Sequence, residues 1–151
     1  MKKKNFLIGI VILLLWIIVC FNFRLTIING YSMENTLKED GFHISTIHTD
    51  EIQRNDIVIV NVQDIVGEII IKRVIAIPGD TIEIKDNVVY LNGIILEEDY
   101  LKEPMQTADI CVTLGKDEYF ICGDNRNNSL DSRSEIIGII RKKQILYKLI
   151  W

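Results

Sequence analysis

Along this chain the hydrophobic residues form one long uninterrupted run near the start and several short alternating runs after it. Residues 5–23 contain no charged side chain and lie between Lys2–Lys4 and Arg24. These 19 residues would span about 28 Å as a helix, close to the roughly 30 Å hydrocarbon core of a bilayer. The pattern therefore predicts a single transmembrane helix.

A cleavable secretory signal also begins with basic residues and an apolar segment, so it is the alternative interpretation of this run. The run is longer than an ordinary signal core, and residues 20–25 are mostly bulky, with no small-x-small cleavage site. We therefore predict an uncleaved anchor. Because positive flanks favour the cytoplasmic side, residues 1–24 are predicted to be a cytoplasmic tip and anchor, and residues 25–151 an extracytoplasmic domain.

Beyond Arg24 the apolar runs are short and rich in β-branched residues, which is typical of strands. Helix signals are limited to a turn after Ser32 and another around residues 126–129. The chain is therefore predicted to be mainly β, with one transmembrane helix followed by a compact antiparallel β-sheet or barrel-like domain. The predicted strands are 56–62, 68–77, 81–85, 88–93, 119–122, 136–140 and 145–150.

Turn signals join some of these predicted strands. Asp86-Asn87 separates two alternating runs, which predicts a β-hairpin with one solvent-facing side. Residues 77–80 combine proline and glycine, which predicts a sharp bend. Residues 97–106 are polar and contain a proline, so they are predicted to form a connecting loop.

Two of the three cysteines flank another possible hairpin turn at residues 114–119. If Leu114 faced Tyr119 across that turn, Cys111 would face Cys122. Outside the cytoplasm such a pair can oxidise, so a disulfide and two buried thiols both stay open. Cys20 lies in the apolar run and is interpreted as an apolar filler.

The net charge of the chain after Arg24 excludes some classes of binding partner. Without the four basic residues of the first 24 positions, 13 basic side chains remain against 21 acidic ones, a net charge of −8. An acidic domain argues against binding to nucleic acid and against broad electrostatic adhesion to anionic lipid. No cysteine and histidine cluster has zinc spacing, so no metal and no cofactor is expected, and His43 and His48 are predicted to be surface residues.

The candidate chemistry comes from a serine and a lysine. A serine hydroxyl needs a neighbouring base to become a good nucleophile. Neither histidine lies near a nucleophile motif, but Lys72 lies in the apolar run 68–77, where burial would lower its pKa. Ser32, just after the anchor, and Lys72 therefore predict a serine–lysine hydrolase held at a membrane. Because neighbours on a strand face opposite sides, only one of Lys72 and Arg73 is expected to point inward.

Four segments resemble the conserved boxes of the bacterial type I signal peptidases, whose patterns are Ser-Met-x-Pro-Thr-Leu, Arg-Gly-Asp-Ile/Val-Val, Lys-Arg-Val-Ile-Gly-x-Pro-Gly-Asp and Gly-Asp-Asn-Arg-x-Asn-Ser-x-Asp-Ser-Arg. Together with the anchor, the resemblance covers nearly the whole chain. The last two boxes are highly specific, and the compact length resembles the form found in Gram-positive bacteria. The matching segments are residues 30–37, 54–58, 72–80 and 123–133.

The resemblance implies a role for each matched residue. Ser32 would attack the scissile carbonyl, and Lys72, as the inward-facing member of its pair, would be the general base. Ser129 would hydrogen-bond to the lysine amine and orient it. The same match implies that Asp131 and Arg133 form an ion pair that supports Ser129. It also implies that Asp124 and Arg126 shape the same loop.

The resemblance assigns fewer residues to oxyanion stabilisation and to substrate binding. The Ser32 backbone N–H is the natural first donor to a developing oxyanion. Some family members carry a serine donor two residues before the nucleophile, but here that position is Gly30. Met33 and neighbouring aliphatic side chains are expected to line the substrate pockets or to rest against the bilayer.

Three positions depart from the family patterns. Asn35 replaces a proline, which removes a fixed φ and is expected to loosen the turn after the nucleophile. Asn55 replaces a glycine, and asparagine tolerates the left-handed backbone that a glycine often adopts. Ala76 replaces another glycine, and the change is expected to be mild.

The resemblance implies a membrane-bound serine endopeptidase that removes signal peptides from secreted preproteins at the outer face of the cytoplasmic membrane. Its partners would be preprotein signal peptides, with small residues at positions −1 and −3, and the lipid bilayer. One alternative is a specialised or self-processing serine–lysine peptidase. The other is a non-catalytic anchored module that binds extended peptides.

Overall fold

The computed structural model describes residues 2–150, with side-chain environments from residue 5 onward. Helix α1 spans Lys2–Asn22, and its segment Asn5–Asn22 has a mean hydropathy of 2.5 and is not buried by the rest of the fold. That length and composition suit a membrane-crossing helix. Strand β1 begins directly after α1, so Arg24 lies in a strand rather than at the end of the helix.

The rest of the described chain is mainly β, as predicted. A short helix, α2 (Gln63–Val66), and two 3-10 turns at Arg126–Asn128 and Lys142–Gln144 interrupt the strands. The strands are β1 (Phe23–Ile27), β2 (Phe42–Thr46), β3 (Ile57–Val62), β4 (Glu68–Ala76), β5 (Thr81–Lys85), β6 (Val88–Leu91), β7 (Ile94–Ile95), β8 (Ile110–Thr113), β9 (Glu118–Cys122), β10 (Ile140–Arg141) and β11 (Ile145–Ile150).

The strands form two antiparallel sheets. The larger sheet has the order β1-β2-β11-β3-β4-β9-β10, and the smaller has the order β7-β6-β5-β8. The β5–β6 hairpin turns at Asp86 and Asn87, both with positive φ, as the sequence predicts. Asparagine and aspartate are the non-glycine residues that best tolerate such a turn. β5 alternates buried and half-exposed residues, so one of its sides faces solvent.

β4 lies near the middle of the larger sheet and is covered on both faces. Ile70 and Val74 pack into one core cluster, whereas Ile75 packs into another. Because both faces are covered, Lys72 and Arg73 are both buried, at 3% and 6% exposure. The expectation that only one of the two side chains points inward is therefore wrong.

The predicted hairpin around residues 114–119 is also wrong. β8 pairs with β5 in the small sheet, whereas β9 pairs with β4 and β10 in the large one, so the chain changes sheets between them. Cys111 consequently lies opposite Glu83 and is exposed, while Cys122 is buried, and both thiols are free. The structure contains no disulfide between them.

Local pattern also failed at two other places. Of the predicted strand 136–140 only Ile140 is in a strand, because residues 132–137 are mostly turn. Strands β1 and β2 were not predicted, although they pair with each other along their full length. Their shared outer face is apolar and exposed, with Leu25 opposite Ile44 and Ile27 opposite Phe42.

Candidate active site

Ser32 lies in a tight turn between β1 and β2. The turn is closed by backbone hydrogen bonds from Glu34 N to Tyr31 O, 3.1 Å, and from Leu37 N to Met33 O, 2.8 Å. Met33 and Leu37 are almost fully buried and join a core cluster with residues of β3. Burial of these apolar side chains fixes the turn against the large sheet, so that Ser32 faces β4.

Lys72 reaches Ser32 from the middle of β4. Its Nζ donates to Ser32 Oγ at 2.7 Å and to its own neighbour, the Ile71 carbonyl, at 3.0 Å. Burial lowers the pKa of Lys72 to about 8, although the nearby Asp131 carboxylate opposes that shift. A lysine with this pKa is neutral in a substantial share of molecules near pH 8, so its amine can accept a proton.

A groove of about 450 Å³ opens beside these two side chains. One wall is formed by residues 26–33, which include Gly30 and Met33, and the other by residues 68–72 of β4. β9 pairs only with residues 73–76 of β4, so within the described chain residues 68–72 have no strand partner on that side. The groove therefore exposes unpaired strand backbone to a ligand.

The Ser32 backbone N–H has no hydrogen-bond acceptor among residues 2–150. A free N–H beside a nucleophile is the donor that an oxyanion needs. Gly30 has φ +90°, and a side chain there would meet no atom within 4 Å. Its backbone conformation rather than lack of space favours glycine, and Gly30 has no side-chain donor to offer.

Ser129 has a different hydrogen-bond partner from the one that the resemblance implied. Its hydroxyl donates to Asp131 Oδ2 at 2.7 Å, and in the described part of the chain no hydrogen bond joins it to Lys72. An ionised carboxylate is a strong acceptor, so the single hydroxyl proton of Ser129 is directed to Asp131. The Ile71 carbonyl is the second hydrogen-bond partner of the lysine instead.

The predicted ion pair between Asp131 and Arg133 is present and buried, at 2.8 Å. Asp131 also accepts the Gly123 N–H at 2.9 Å. Burial by itself raises the pKa of Asp131, but the hydrogen bonds and charge of Arg133 outweigh it and hold that pKa below its usual range. The ionised carboxylate therefore fixes both ends of the 123–133 loop.

Asp124 and Arg126 lie in this loop, as predicted, but each binds a residue outside it. Asp124 forms a buried pair with Arg73 at 2.6 Å and accepts the Thr36 hydroxyl. Arg126 pairs with Glu98 and donates to the Gly123 carbonyl at 3.0 Å. Asp124 thus joins the loop to β4 and to the turn that carries Ser32.

Sequence reasoning missed Arg73, Thr36 and Asn125 as supports of this site. Asn125 holds the nucleophile turn directly, because its N–H donates to Ser32 O at 2.9 Å and its side chain donates to Tyr31 O at 3.1 Å. All three lie inside the four matched segments, so the signal was present. What the sequence lacked was the pairing of those segments in space.

The three departures from the family patterns have different outcomes. Asn55 has φ +69°, which confirms that asparagine preserves the left-handed turn. Ala76 is fully buried in the strand and makes no unusual demand on the backbone. Asn35 does not loosen its turn, since its side chain donates to the carbonyls of Tyr100 and Leu101 at 3.1 and 3.4 Å.

Gly123 provides the first testable prediction. A Cβ at this position would lie 2.5 Å from the Ser32 carbonyl oxygen and 2.3 Å from Ser129 Oγ. We expect Gly123→Ala to destabilise the protein by about 1–3 kcal/mol, because the backbone of the nucleophile turn must move. Thermal unfolding measures the loss, and cleavage of a preprotein is expected to slow as well.

Gly93→Ala is the matched comparison for that variant. Gly93 has φ +81°, and a Cβ there meets no atom within 4 Å. This variant should lose about 1 kcal/mol to backbone strain alone, with an unchanged kcat. If Gly123→Ala keeps wild-type kcat and stability, the close approach between these two segments is not important.

Comparisons with known proteins find relatives that match most of this chain. A family model described as signal peptidase, peptidase S26, matches residues 2–150. Signal peptidase I P of Bacillus subtilis subsp. natto is 35% identical over 96% of this chain and 87% of its own. Signal peptidase I S of Bacillus subtilis strain 168 is 37% identical over 95% of this chain and 86% of its own. A crystal structure of a signal peptidase I from Enterococcus faecalis, 30% identical, matches 68% of this chain and 98% of its own with a TM-score of 0.57.

Proposed function

We propose that this chain, which belongs to the signal peptidase family, peptidase S26, cleaves signal peptides with Ser32 as its nucleophile and Lys72 as its general base. Signal-peptide cleavage by a serine endopeptidase is the activity of the relatives it matches. The 2.7 Å approach of the buried Lys72 Nζ to the half-buried Ser32 Oγ is the observation that carries the residue assignment.

The reaction follows from these two groups. Neutral Lys72 takes the hydroxyl proton as Ser32 Oγ attacks the scissile carbonyl carbon, and the negative charge that develops on oxygen is stabilised by the Ser32 N–H. The protonated amine then gives its proton to the leaving peptide nitrogen, which leaves an acyl group on Ser32. Lys72 next activates a water molecule, which hydrolyses that ester and releases the signal peptide.

The groove supports binding of an extended peptide. Residues 68–72 of β4 have no strand partner on the side away from β3, so a substrate strand can add to this edge as in β-augmentation. Met33 and Ile59 line the groove and are buried at 1% and 5% exposure, so their side chains fill its floor. A filled floor suits small side chains, which supports the expectation of small residues at substrate positions −1 and −3.

The apolar helix α1 fits a membrane-anchored peptidase. We assign the lysine-rich start of residues 1–24 to the cytoplasmic side and residues 25–151 to the outer face as the catalytic domain, because positive flanks favour the cytoplasm. The exposed apolar face of β1 and β2 follows the helix directly and suits contact with lipid. Met33 does not make that contact, because it is buried.

The rate of cleavage is expected to depend on pH through Lys72. Only the neutral amine acts as a base, and burial sets its pKa at about 8. We therefore expect kcat/KM for a preprotein in detergent to rise about tenfold per pH unit below that pKa and to level off above it. A profile that is flat from about pH 6 to pH 10 would contradict a lysine base.

A further inference from the structure

The turn that carries Ser32 is held by a segment far along the chain, residues 98–102, which we call the strap. Asn35 Nδ2 donates to Tyr100 O at 3.1 Å and to Leu101 O at 3.4 Å. Lys102 Nζ forms an ion pair with Glu34 at 2.5 Å. The strap therefore contacts two consecutive residues of the nucleophile turn, two and three positions after Ser32.

The strap is held in place by contacts with two buried arginines, Arg73 and Arg126. The Tyr100 ring packs 4.0 Å from the Arg73 guanidinium, and its hydroxyl donates to Glu98 at 2.7 Å. Glu98 in turn pairs with the buried Arg126. A ring stacked on a guanidinium and held at its hydroxyl has little freedom, so the two strap carbonyls are fixed acceptors.

Asn35 is the residue of the turn that reaches these carbonyls, and its backbone has φ +90°. A proline ring holds φ near −65°, so proline cannot occupy this conformation. Asparagine tolerates it, and its amide supplies a donor that proline lacks. Asn35 thus stabilises the turn through its hydrogen bonds to the strap. Proline restricts its own φ but cannot form these hydrogen bonds.

We infer that Asn35 is a positioning residue for Ser32: its amide, bound to the strap, sets the place of the nucleophile relative to Lys72. This inference rests on the proposed function of Ser32. A hydroxyl displaced by a fraction of an ångström attacks less often although the substrate still binds. The inference therefore predicts an effect on kcat and little effect on KM.

Asn35→Gly isolates the hydrogen bonds, because glycine adopts φ +90° without strain but has no amide. We expect kcat per folded enzyme to fall about tenfold, with KM changed less than about twofold and with the pH midpoint unchanged. Asn35→Pro introduces the residue of the family pattern and is expected to lower kcat about a hundredfold. A general loss of stability would reduce the folded fraction instead and leave kcat per folded enzyme unchanged.

Asn87→Gly is the matched control. Asn87 also has positive φ, +66°, and its side chain is also hydrogen-bonded to a distant loop, although here Oδ1 accepts the Thr107 N–H at 2.9 Å. Asn87 lies in the β5–β6 turn, away from Ser32, so the kcat of Asn87→Gly should equal that of the wild type. If both Asn35 variants keep wild-type kcat while Ser32→Ala is inactive, the positioning role is refuted and the proposed function stands. If Ser32→Ala still cleaves, the proposed function itself is wrong.

Discussion

Ser32→Ala and Lys72→Met each lower kcat/KM for a preprotein by about 10³-fold or more, and the double variant is no slower than either single one. Nucleophile and base act as one unit, so removing the second group causes no further loss of rate once the first has been removed. The 2.7 Å contact between their side chains is the basis for this expectation. Cleavage by purified protein in detergent, followed by gel or mass spectrometry, measures it.

Lys142→Met is the control for loss of a shielded lysine. Burial also lowers the pKa of Lys142, whose amine lies 6.0 Å from the centre of the Tyr119 ring. Lys142 does not belong to the groove beside Ser32, so this variant should cleave at the wild-type rate. Cleavage by Ser32→Ala within about tenfold of the wild-type rate would refute the assigned nucleophile. Peptide binding without turnover in the wild type would favour a non-catalytic module.

Arg73→Met has the largest expected effect on stability, a loss of about 3–5 kcal/mol, because it strands the Asp124 carboxylate inside the protein. The side chains of this pair are only 7% and 0% exposed. Asp124 would then keep the Thr36 hydroxyl as a partner but lose its countercharge. Chemical unfolding of the detergent-solubilised protein measures the change.

Two further variants identify the cause of that loss. Lys102→Met removes a partner from an ion pair whose side chains are 41% and 44% exposed, and should cost less than about 1 kcal/mol. Replacing Arg73 and Asp124 together, by Met and Leu, removes the stranded charge and should recover part of the lost stability. If the double variant is no more stable than Arg73→Met, the loss comes from packing rather than from the buried charge.

The elements of this fold that follow from local pattern were predictable. Strands β3 to β6 and β11 combine β-branched residues with suitable alternation or with clear turn residues, so one-dimensional pattern suffices for them. The matched segments also identified Ser32 and Lys72, which lie 40 residues apart and are in contact. Their chemical roles remain predictions.

Other features depend on which elements meet in space. The expected pairing of Cys111 with Cys122 assumed that neighbours in sequence form a hairpin, whereas β8 and β9 belong to different sheets. The hydroxyl of Ser129 has one proton to donate, and only the folded geometry shows that this proton is directed to Asp131. The burial of Arg73 requires a sheet covered on both faces, which alternation along one strand cannot reveal.

The lowered pKa of Lys72 has a thermodynamic consequence for the whole fold. An amine that is harder to protonate when folded opposes folding most at pH values below about 8, and the penalty disappears as the pH rises toward 10.5. A chain that only bound peptides would gain thermodynamic stability if an aliphatic residue replaced Lys72. The proposed role of Lys72 as a base would account for a buried lysine that lowers the stability of the folded chain.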